Sequence, residues 1–172
     1  MAIKDAIQTI NRMQSDGVIE RYAISGAVGA TFYLEPVATL DVDVFVKFHT
    51  GPGSRGVSPK HIFNYLRDRS CKMEGDHVVI ADWPVQFLPA GTPLLQEALA
   101  TAVEKDVEGT PVCVFTAEHI AAVALETGRA KDKARVLQFI EASAVDPERL
   151  KEILARHGLS GHWEQFERQF LK

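Results

Sequence analysis

Two acidic residues, Asp41 and Asp43, begin the most apolar stretch of the chain, in which Val42 and residues 44–46 are valine or phenylalanine. Residues two positions apart on a strand point to the same face, so the two carboxylates lie side by side. Neighbouring carboxylates repel each other unless a positive charge lies between them, and aspartate is disfavoured inside a central strand. A solvated polar edge is the alternative, but the apolar neighbours predict a central strand. We therefore predict that Asp41 and Asp43 bind a divalent metal ion.

A second candidate site, Ser25-Gly26-Ala27, lies where a short predicted strand turns into a helix. Backbone N–H groups at the start of a helix can bind a phosphate. The next residues, Val28-Gly29-Ala30, are small, so close packing of the helix on the sheet explains the same stretch without any ligand. Because the acidic pair follows directly after this helix, we favour the phosphate site. A metal site beside a phosphate site indicates nucleotide chemistry.

The elements that must position these residues follow from periodicity and from turn residues. Apolar positions at helical spacing predict a first helix that ends at Asp16-Gly17. The remaining predicted elements are strands at 22–25, 41–48, 77–80, 85–88 and 111–115, and helices at 27–34, from Ser58-Pro59 to Arg69, and from Thr92-Pro93 to Asp106. From Thr116 onward the pattern predicts four helices, separated at Gly128, at Asp146-Pro147 and at Gly158. This order predicts an α/β (α+β) fold: a small mixed β-sheet flanked by helices (1–115), followed by a C-terminal helical bundle (116–172).

Composition narrows the class of protein. A chain of 172 residues with 46% hydrophobic residues can form one core, or a core with a small helical appendage. Its net charge of -4 argues against a broad nucleic-acid surface, although a local basic patch is compatible with it. Cys71 and Cys113 have no partner at metal-ligand spacing, the first helix carries charges unlike a signal peptide, and no segment is apolar enough to span a membrane. We therefore expect a cytoplasmic protein without a membrane partner.

Gly26-Ala27, a short helix and then Asp41-x-Asp43 resemble the signature of the DNA polymerase β-like nucleotidyltransferase superfamily. The stretch 39–43, Thr-Leu-Asp-Val-Asp, is similar to the threonine-containing form found in the small bacterial branch that includes the AbiEii-type toxin nucleotidyltransferases. The later Glu118-His119 and 128–132 segments resemble further elements of these proteins. The resemblance covers most of the chain and implies a nucleotidyltransferase-like sheet.

The resemblance also implies an activity, the Mg²⁺-dependent transfer of a nucleoside monophosphate from an NTP to an acceptor hydroxyl. Asp41 and Asp43 would hold two Mg²⁺ ions. Backbone groups of the segment 25–27, together with Thr39, would lie against the triphosphate. The metal ions would polarise the α-phosphate and stabilise the pyrophosphate leaving group, as in other two-metal phosphoryl transfers.

The family places a third carboxylate on a later strand, and the corresponding position here is Gln86. Glutamine carries no negative charge and is a poor general base. Three interpretations follow. In the first, two carboxylates suffice for catalysis and the proton passes to the substrate or to water. In the second, a nearby acid such as Asp82, Glu74 or Asp76 replaces the third carboxylate. In the third, the protein binds a nucleotide or metal ion without catalysing transfer.

A basic cluster provides candidate phosphate contacts: Arg129, Lys131, Lys133 and Arg135. On a helix, Lys131 and Arg135 share one face and Arg129 and Lys133 share another. The alternative is that these four residues form a solvent-exposed helix face without a ligand. By resemblance, Lys131 is the first candidate for a triphosphate contact, followed by Arg129 or Arg135. The six histidines show no metal-ligand spacing, and we expect His119 to serve as a cap or core contact.

Two functions from different classes therefore remain open. The first is a nucleotidyltransferase whose acceptor is a tRNA, a protein or a small molecule such as an aminoglycoside. The second is a catalytically silent relative that binds a nucleotide, an RNA or a protein partner and could belong to a toxin–antitoxin pair. Gln86 is the residue that separates these two hypotheses.

Overall fold

A computed structural model describes residues 3–34, 41–48 and 60–171. Within these ranges the chain forms eight helices and seven strands. In chain order they are α1 (Ile3–Ser15), β1 (Ile19–Ser25), α2 (Gly26–Ala30), β2 (Val42–Phe48), α3 (Lys60–Arg67), β3 (Lys72–Glu74), β4 (His77–Ile80), β5 (Trp83–Pro89), α4 (Pro93–Ala100), β6 (Val103–Val107), β7 (Thr110–Val114), α5 (Ala117–Thr127), α6 (Ala130–Glu141), α7 (Pro147–Arg156) and α8 (Ser160–Phe170).

The seven strands form one mixed sheet in the order β3-β4-β5-β2-β1-β7-β6. Strand β2 is antiparallel to β1 and parallel to β5, and β1 is parallel to β7. The hairpins β3–β4, β4–β5 and β6–β7 are antiparallel. The predicted α/β class is confirmed, and the strand that carries Asp43 has three strands on each side, as its apolar neighbours predict.

Strand β2 alternates between a buried face and the face that carries Asp43. Val42, Val44 and Val46 are buried in the core, whereas Asp43 and Phe45 are only partly buried. Helix α1 packs on β1 and β7, and α5 packs on α2, α6 and α7. One hydrophobic cluster includes residues of both the sheet and the C-terminal helices. The division of the chain at residue 115 therefore stays a prediction.

Helix α2 packs closely on β1, as its small residues predict. A Cβ atom at Gly29 would lie 3.0 Å from the carbonyl oxygen of Ile24 and 3.4 Å from Cδ1 of Ile120. The helix is shorter than the predicted 27–34, because turns follow it from Thr31 to Leu34. The predicted helix start at Ser58-Pro59 lies outside the described residues.

The predicted helix up to Asp106 is wrong in its second half. Helix α4 ends at Ala100, and Val103–Val107 forms edge strand β6, which pairs with β7. Glu108 and Gly109 have φ of 49° and 86°, which is the two-residue turn typical of a β-hairpin. Pairing with β7 outweighs the helical preference of this short segment, because sheet formation depends on the partner strand. The three-residue, exposed strand β3 was also not predicted.

Two further features concern the whole described chain. Within it, no helix combines the length and apolar character that crossing a bilayer requires. Cys71 and Cys113 are both free thiols.

Candidate active site

Three neighbouring strands bring the first predicted site residues into one row. Ser25 at the end of β1 pairs with Asp43 on β2, and Asp43 pairs with Gln86 on β5. A cavity of about 700 Å³ lies over this row. The residues that line it include Gly26, Ala27 and Asp41 as well. The structure therefore places the predicted acidic pair, the glycine turn and Gln86, which replaces the family's third carboxylate, at a single site.

Asp41 and Asp43 both face this cavity, as their spacing predicts. The Asp41 side chain is about half exposed, at 51%, whereas Asp43 is partly buried. Burial raises the pKa of Asp43 and the charge of Asp41 raises it further, while Arg135, Lys131 and Arg129 act in the opposite direction. The ionised form of Asp43 is therefore disfavoured in this position, and a bound cation would relieve the cost.

Gly26 and Asp43 lie in direct contact. Gly26 has a φ of +66°, a left-handed conformation that other residues adopt at a cost. A Cβ atom there would overlap a carboxylate oxygen of Asp43 and lie 3.1 Å from its Cγ. Only glycine satisfies both constraints, so the turn and the acidic pair form one structural unit.

The segment predicted to bind phosphate is shorter than a typical anion-binding helix. Helix α2 has five residues, so the summed peptide dipole at its start is small. Ser25 precedes it in an extended conformation, is buried, and makes no side-chain capping bond. Any phosphate contact here would depend on individual backbone N–H groups of Gly26 and Ala27.

The basic side of the cavity comes from α6 and the residue before it. Arg129, Lys131 and Arg135 all line the cavity, together with Asp132. Lys133 lines a different, smaller cavity beside α8. Lys131 and Arg135 therefore line one cavity with the acidic pair, as their predicted common face requires. The prediction that Arg129 and Lys133 share a face is wrong, because Arg129 precedes α6 as its N-cap residue and the two line different cavities.

Asp132 holds the two arginines at the edge of the cavity. Arg129 donates hydrogen bonds to Oδ2 of Asp132 from its backbone N–H, at 3.2 Å, and from Nε, at 2.7 Å. Nη1 of Arg135 lies 3.7 Å from Oδ1 of the same carboxylate, which is 2% exposed. The bond to Asp132 raises the pKa of Arg129. Because Arg129 is hydrogen-bonded to Asp132 whereas Arg135 only lies within ion-pair distance of it, Lys131 and Arg135 are the stronger candidates for a phosphate contact.

The cavity also has an apolar surface that the sequence motifs did not predict. It is formed by Phe45, Leu88, Ile120, Val123 and Ala124. Phe45 stacks on Phe115, with ring centroids 5.3 Å apart. Strand alternation could have placed Phe45 and Leu88 here, because each lies two positions beyond a predicted site residue.

The candidate replacements for the third carboxylate do not reach the cavity. Asp82, Glu74 and Asp76 are absent from the residues that line it. Another residue does approach the acidic pair: Nε2 of His77 lies 3.6 Å from Oδ1 of Asp41. Thr39 lies outside the described residues.

The donor set fits a magnesium ion that also has nucleotide or water ligands. Asp41 and Asp43 offer carboxylate oxygens, and Gln86 offers an amide carbonyl oxygen. Mg²⁺ prefers such oxygen ligands and commonly uses one or two carboxylates with substrate phosphates. In the described ranges, no three His, Cys, Asp or Glu side chains are grouped so that they could hold a metal ion by themselves. The phosphates of a substrate would have to complete the coordination.

His119 serves as a structural contact outside this cavity, as expected. Its Nδ1 lies 2.6 Å from Oγ1 of Thr116, and its Nε2 lies 2.8 Å from Oε2 of Glu97. Arg156 also binds Glu97 through two hydrogen bonds of 3.0 and 3.1 Å. Burial lowers the pKa of His119. The neutral ring can donate to Glu97 and accept from Thr116, so this cluster joins α4, α5 and α7.

Comparison with known proteins supports the same fold. No protein-family model and no curated protein sequence matches the chain. An antigenic nucleotidyltransferase-like protein from Paracoccidioides brasiliensis superposes with a TM-score of 0.62 at 17% identity, covering 94% of this chain and 91% of the other. The antibiotic-resistance factor ANT(2'')-Ia superposes with a TM-score of 0.54 at 14% identity, covering 96% and 95%. The chain therefore has the fold of nucleotidyltransferase-like proteins.

Proposed function

We propose that this protein is a Mg²⁺-dependent nucleotidyltransferase that moves a nucleoside monophosphate from an NTP to an acceptor hydroxyl. The observation that carries the proposal is the contact between Gly26 and Asp43 inside one cavity, which Lys131 and Arg135 also line. A cavity lined by carboxylates on the sheet and by basic side chains on α6 suits a metal-bound polyphosphate. The two structures with the same fold are themselves described as a nucleotidyltransferase-like protein and an antibiotic-resistance factor.

The proposed roles follow from position. Asp41 and Asp43 hold the metal ions, and the backbone at Gly26 and Ala27 lies against the phosphates. Lys131 and Arg135 compensate the charge of the triphosphate from α6. When bound, Mg²⁺ supplies Lewis-acid activation of the α-phosphate and stabilises the leaving group.

At the third position of the site, the chain has no side chain that could act as the general base for proton transfer. Gln86 can accept or donate a hydrogen bond but cannot take up a proton near neutral pH. The proton of the acceptor hydroxyl would therefore pass to the substrate phosphate or to water. The apolar surface around Phe45 and Leu88 gives the nucleobase or an apolar part of the acceptor a place to pack.

We further propose that the chain belongs near the AbiEii-type branch, on the strength of the Thr-x-Asp-x-Asp pattern at 39–43. A toxin role with a tRNA acceptor follows from that placement. The likeness to ANT(2'')-Ia supports testing small-molecule acceptors alongside RNA and protein.

A double substitution, Asp41→Asn with Asp43→Asn, tests the metal site. We expect calorimetry with Mg²⁺ and a non-hydrolysable NTP to show binding by the unmodified protein and none by the variant, while the urea unfolding midpoint stays similar. Asp76→Asn, an exposed acid outside the cavity, is the control. Unchanged Mg-NTP affinity in the double variant would refute the assignment.

The second candidate, a silent relative that binds without catalysis, is favoured by Gln86 alone. Transfer of label from an α-labelled NTP should be compared in the unmodified protein and in Gln86→Asp. Activity that appears only in the variant indicates a decayed enzyme. Activity that is present in the unmodified protein and lost in the variant indicates that glutamine is part of the native site.

A further inference from the structure

His77 occupies the next place in the row of site residues. Strand β4 pairs with β5 so that Val78 faces Val85, and Gln86 follows Val85. The residue before Val78 therefore lies beside Gln86, which in turn pairs with Asp43. Val78 is buried in the core, so alternation directs His77 to the opposite face, on the side of the acidic pair.

The imidazole of His77 presents a buried polar atom toward Asp41. Its Nε2 is shielded from solvent and has no hydrogen-bond partner among the described residues. Oδ1 of Asp41 lies 3.6 Å from it, just beyond hydrogen-bonding distance. A buried polar atom without a partner is costly, and Oδ1 of Asp41 is an acceptor within about 0.1 Å of hydrogen-bonding distance from it.

Asp41 and Asp43 differ in the surroundings of their carboxylates. Asp43 is partly buried and its carboxylate packs against Gly26, whereas the side chain of Asp41 is about half exposed. A metal site needs both carboxylates in a set orientation, and among the described residues the third position offers Gln86 in place of another carboxylate. A hydrogen bond to one oxygen of a ligating carboxylate orients the other toward the metal.

We propose that His77 is a positioning residue, which donates from Nε2 to Asp41 and holds that carboxylate toward the cation shared with Asp43. The inference rests on the proposed function, because it assumes that Asp41 is a metal ligand. The donor is an N–H group at a defined place, so an amide at the same place can replace it. Glutamine can bring its Nε2 to this position, whereas asparagine is too short and leucine has no donor.

The test measures Mn²⁺ binding by electron paramagnetic resonance in the full chain, with and without a non-hydrolysable NTP. We expect about 10-fold weaker Mn²⁺ affinity in His77→Leu and in His77→Asn, since loss of a partner that orients a ligand typically costs 10- to 100-fold. His77→Gln should stay within about 3-fold of the unmodified protein. His162→Leu, an exposed histidine on α8, should change nothing. Urea unfolding of each variant verifies that it is folded, and the asparagine variant keeps the test valid if leucine disturbs folding.

The outcomes distinguish a failure of the proposed role of His77 from a failure of the proposed function. Unchanged Mn²⁺ affinity in both His77→Leu and His77→Asn would overturn it. Equal losses in His77→Gln and His77→Leu would also overturn it, because the N–H donor would then not be the feature of His77 that supports metal binding. If the unmodified protein binds no Mn²⁺ even with the NTP analogue present, the result refutes the proposed function itself, and with it the role of His77.

Discussion

Replacing Gly26 with alanine tests whether the glycine turn and the acidic pair act as one site. At a φ of +66° an alanine costs about 1–2 kcal/mol relative to glycine, because its Cβ crowds the backbone. At this position the Cβ would also overlap the carboxylate of Asp43. The carboxylate is the end of a flexible side chain, so it should rotate away and leave the backbone in place. The variant is therefore expected to fold with a displaced Asp43.

The size of the effect follows from that displacement. A shift of about 1 Å in a positioned group can cost about 100-fold in rate. For binding we expect at least about a 10-fold loss of Mg-NTP affinity, which corresponds to about 1.4 kcal/mol. Gly158→Ala is the matched control, because Gly158 has a φ of +70° and no atom of the described residues lies within 4 Å of the added Cβ.

Calorimetry with Mg²⁺ and a non-hydrolysable NTP, together with urea unfolding, gives both quantities for each variant. The two variants should lose similar free energies of unfolding, about 1–2 kcal/mol each, because they share the same backbone strain. Only Gly26→Ala should lose nucleotide affinity. If Gly26→Ala binds Mg-NTP as tightly as Gly158→Ala, the contact with Asp43 has no role in binding and the reasoning fails.

Three further predictions concern the surroundings of the site. Lys131→Gln should weaken Mg-NTP binding about 3- to 10-fold in calorimetry, because one charge-assisted contact is lost. Lys133 lines another cavity, so Lys133→Gln should leave this affinity unchanged. Equal effects of the two substitutions would contradict the assigned helix face. Asp132→Ala should lower the free energy of unfolding by about 2 kcal/mol, measured in urea, because a buried acceptor at the start of α6 is lost. Glu97→Gln should lower it by about 1–3 kcal/mol at pH 7, since hydrogen bonds to a charged group are removed. Hydrogen bonding, first to Arg156, lowers the pKa of Glu97 to about 2, so this stabilisation is complete above its ordinary pKa near 4.5 and is lost as the pH falls toward 2. The difference between Glu97→Gln and the unmodified protein should therefore narrow over that range, and a constant difference down to pH 2 would contradict the assignment.

Local pattern was enough to predict much of the fold. The alternation of Val42, Val44 and Val46 identified a central strand, because a strand buries every second residue. Turn and cap residues such as Thr116 and Gly128 marked the ends of α5, and both act as predicted. Strand β6 was missed because its pairing with β7 is a contact between two chain segments, which helical propensity within one segment cannot show.

For the candidate site, too, local pattern predicted some features and only long-range contacts explain the others. The sequence by itself determined that Asp41 and Asp43 share a face, because side chains on a strand repeat every two residues. Helix spacing alone left two basic faces open, and only the tertiary structure decided that Lys131 and not Lys133 lines the cavity of the acidic pair, since that depends on how α6 packs. It also brought His77 to Asp41 through pairing of β4 with β5, a juxtaposition of residues 36 positions apart that no local spacing encodes. Short-range periodicity fixes the direction of each side chain within its own element, whereas the neighbours it meets are set by long-range strand pairing and helix packing.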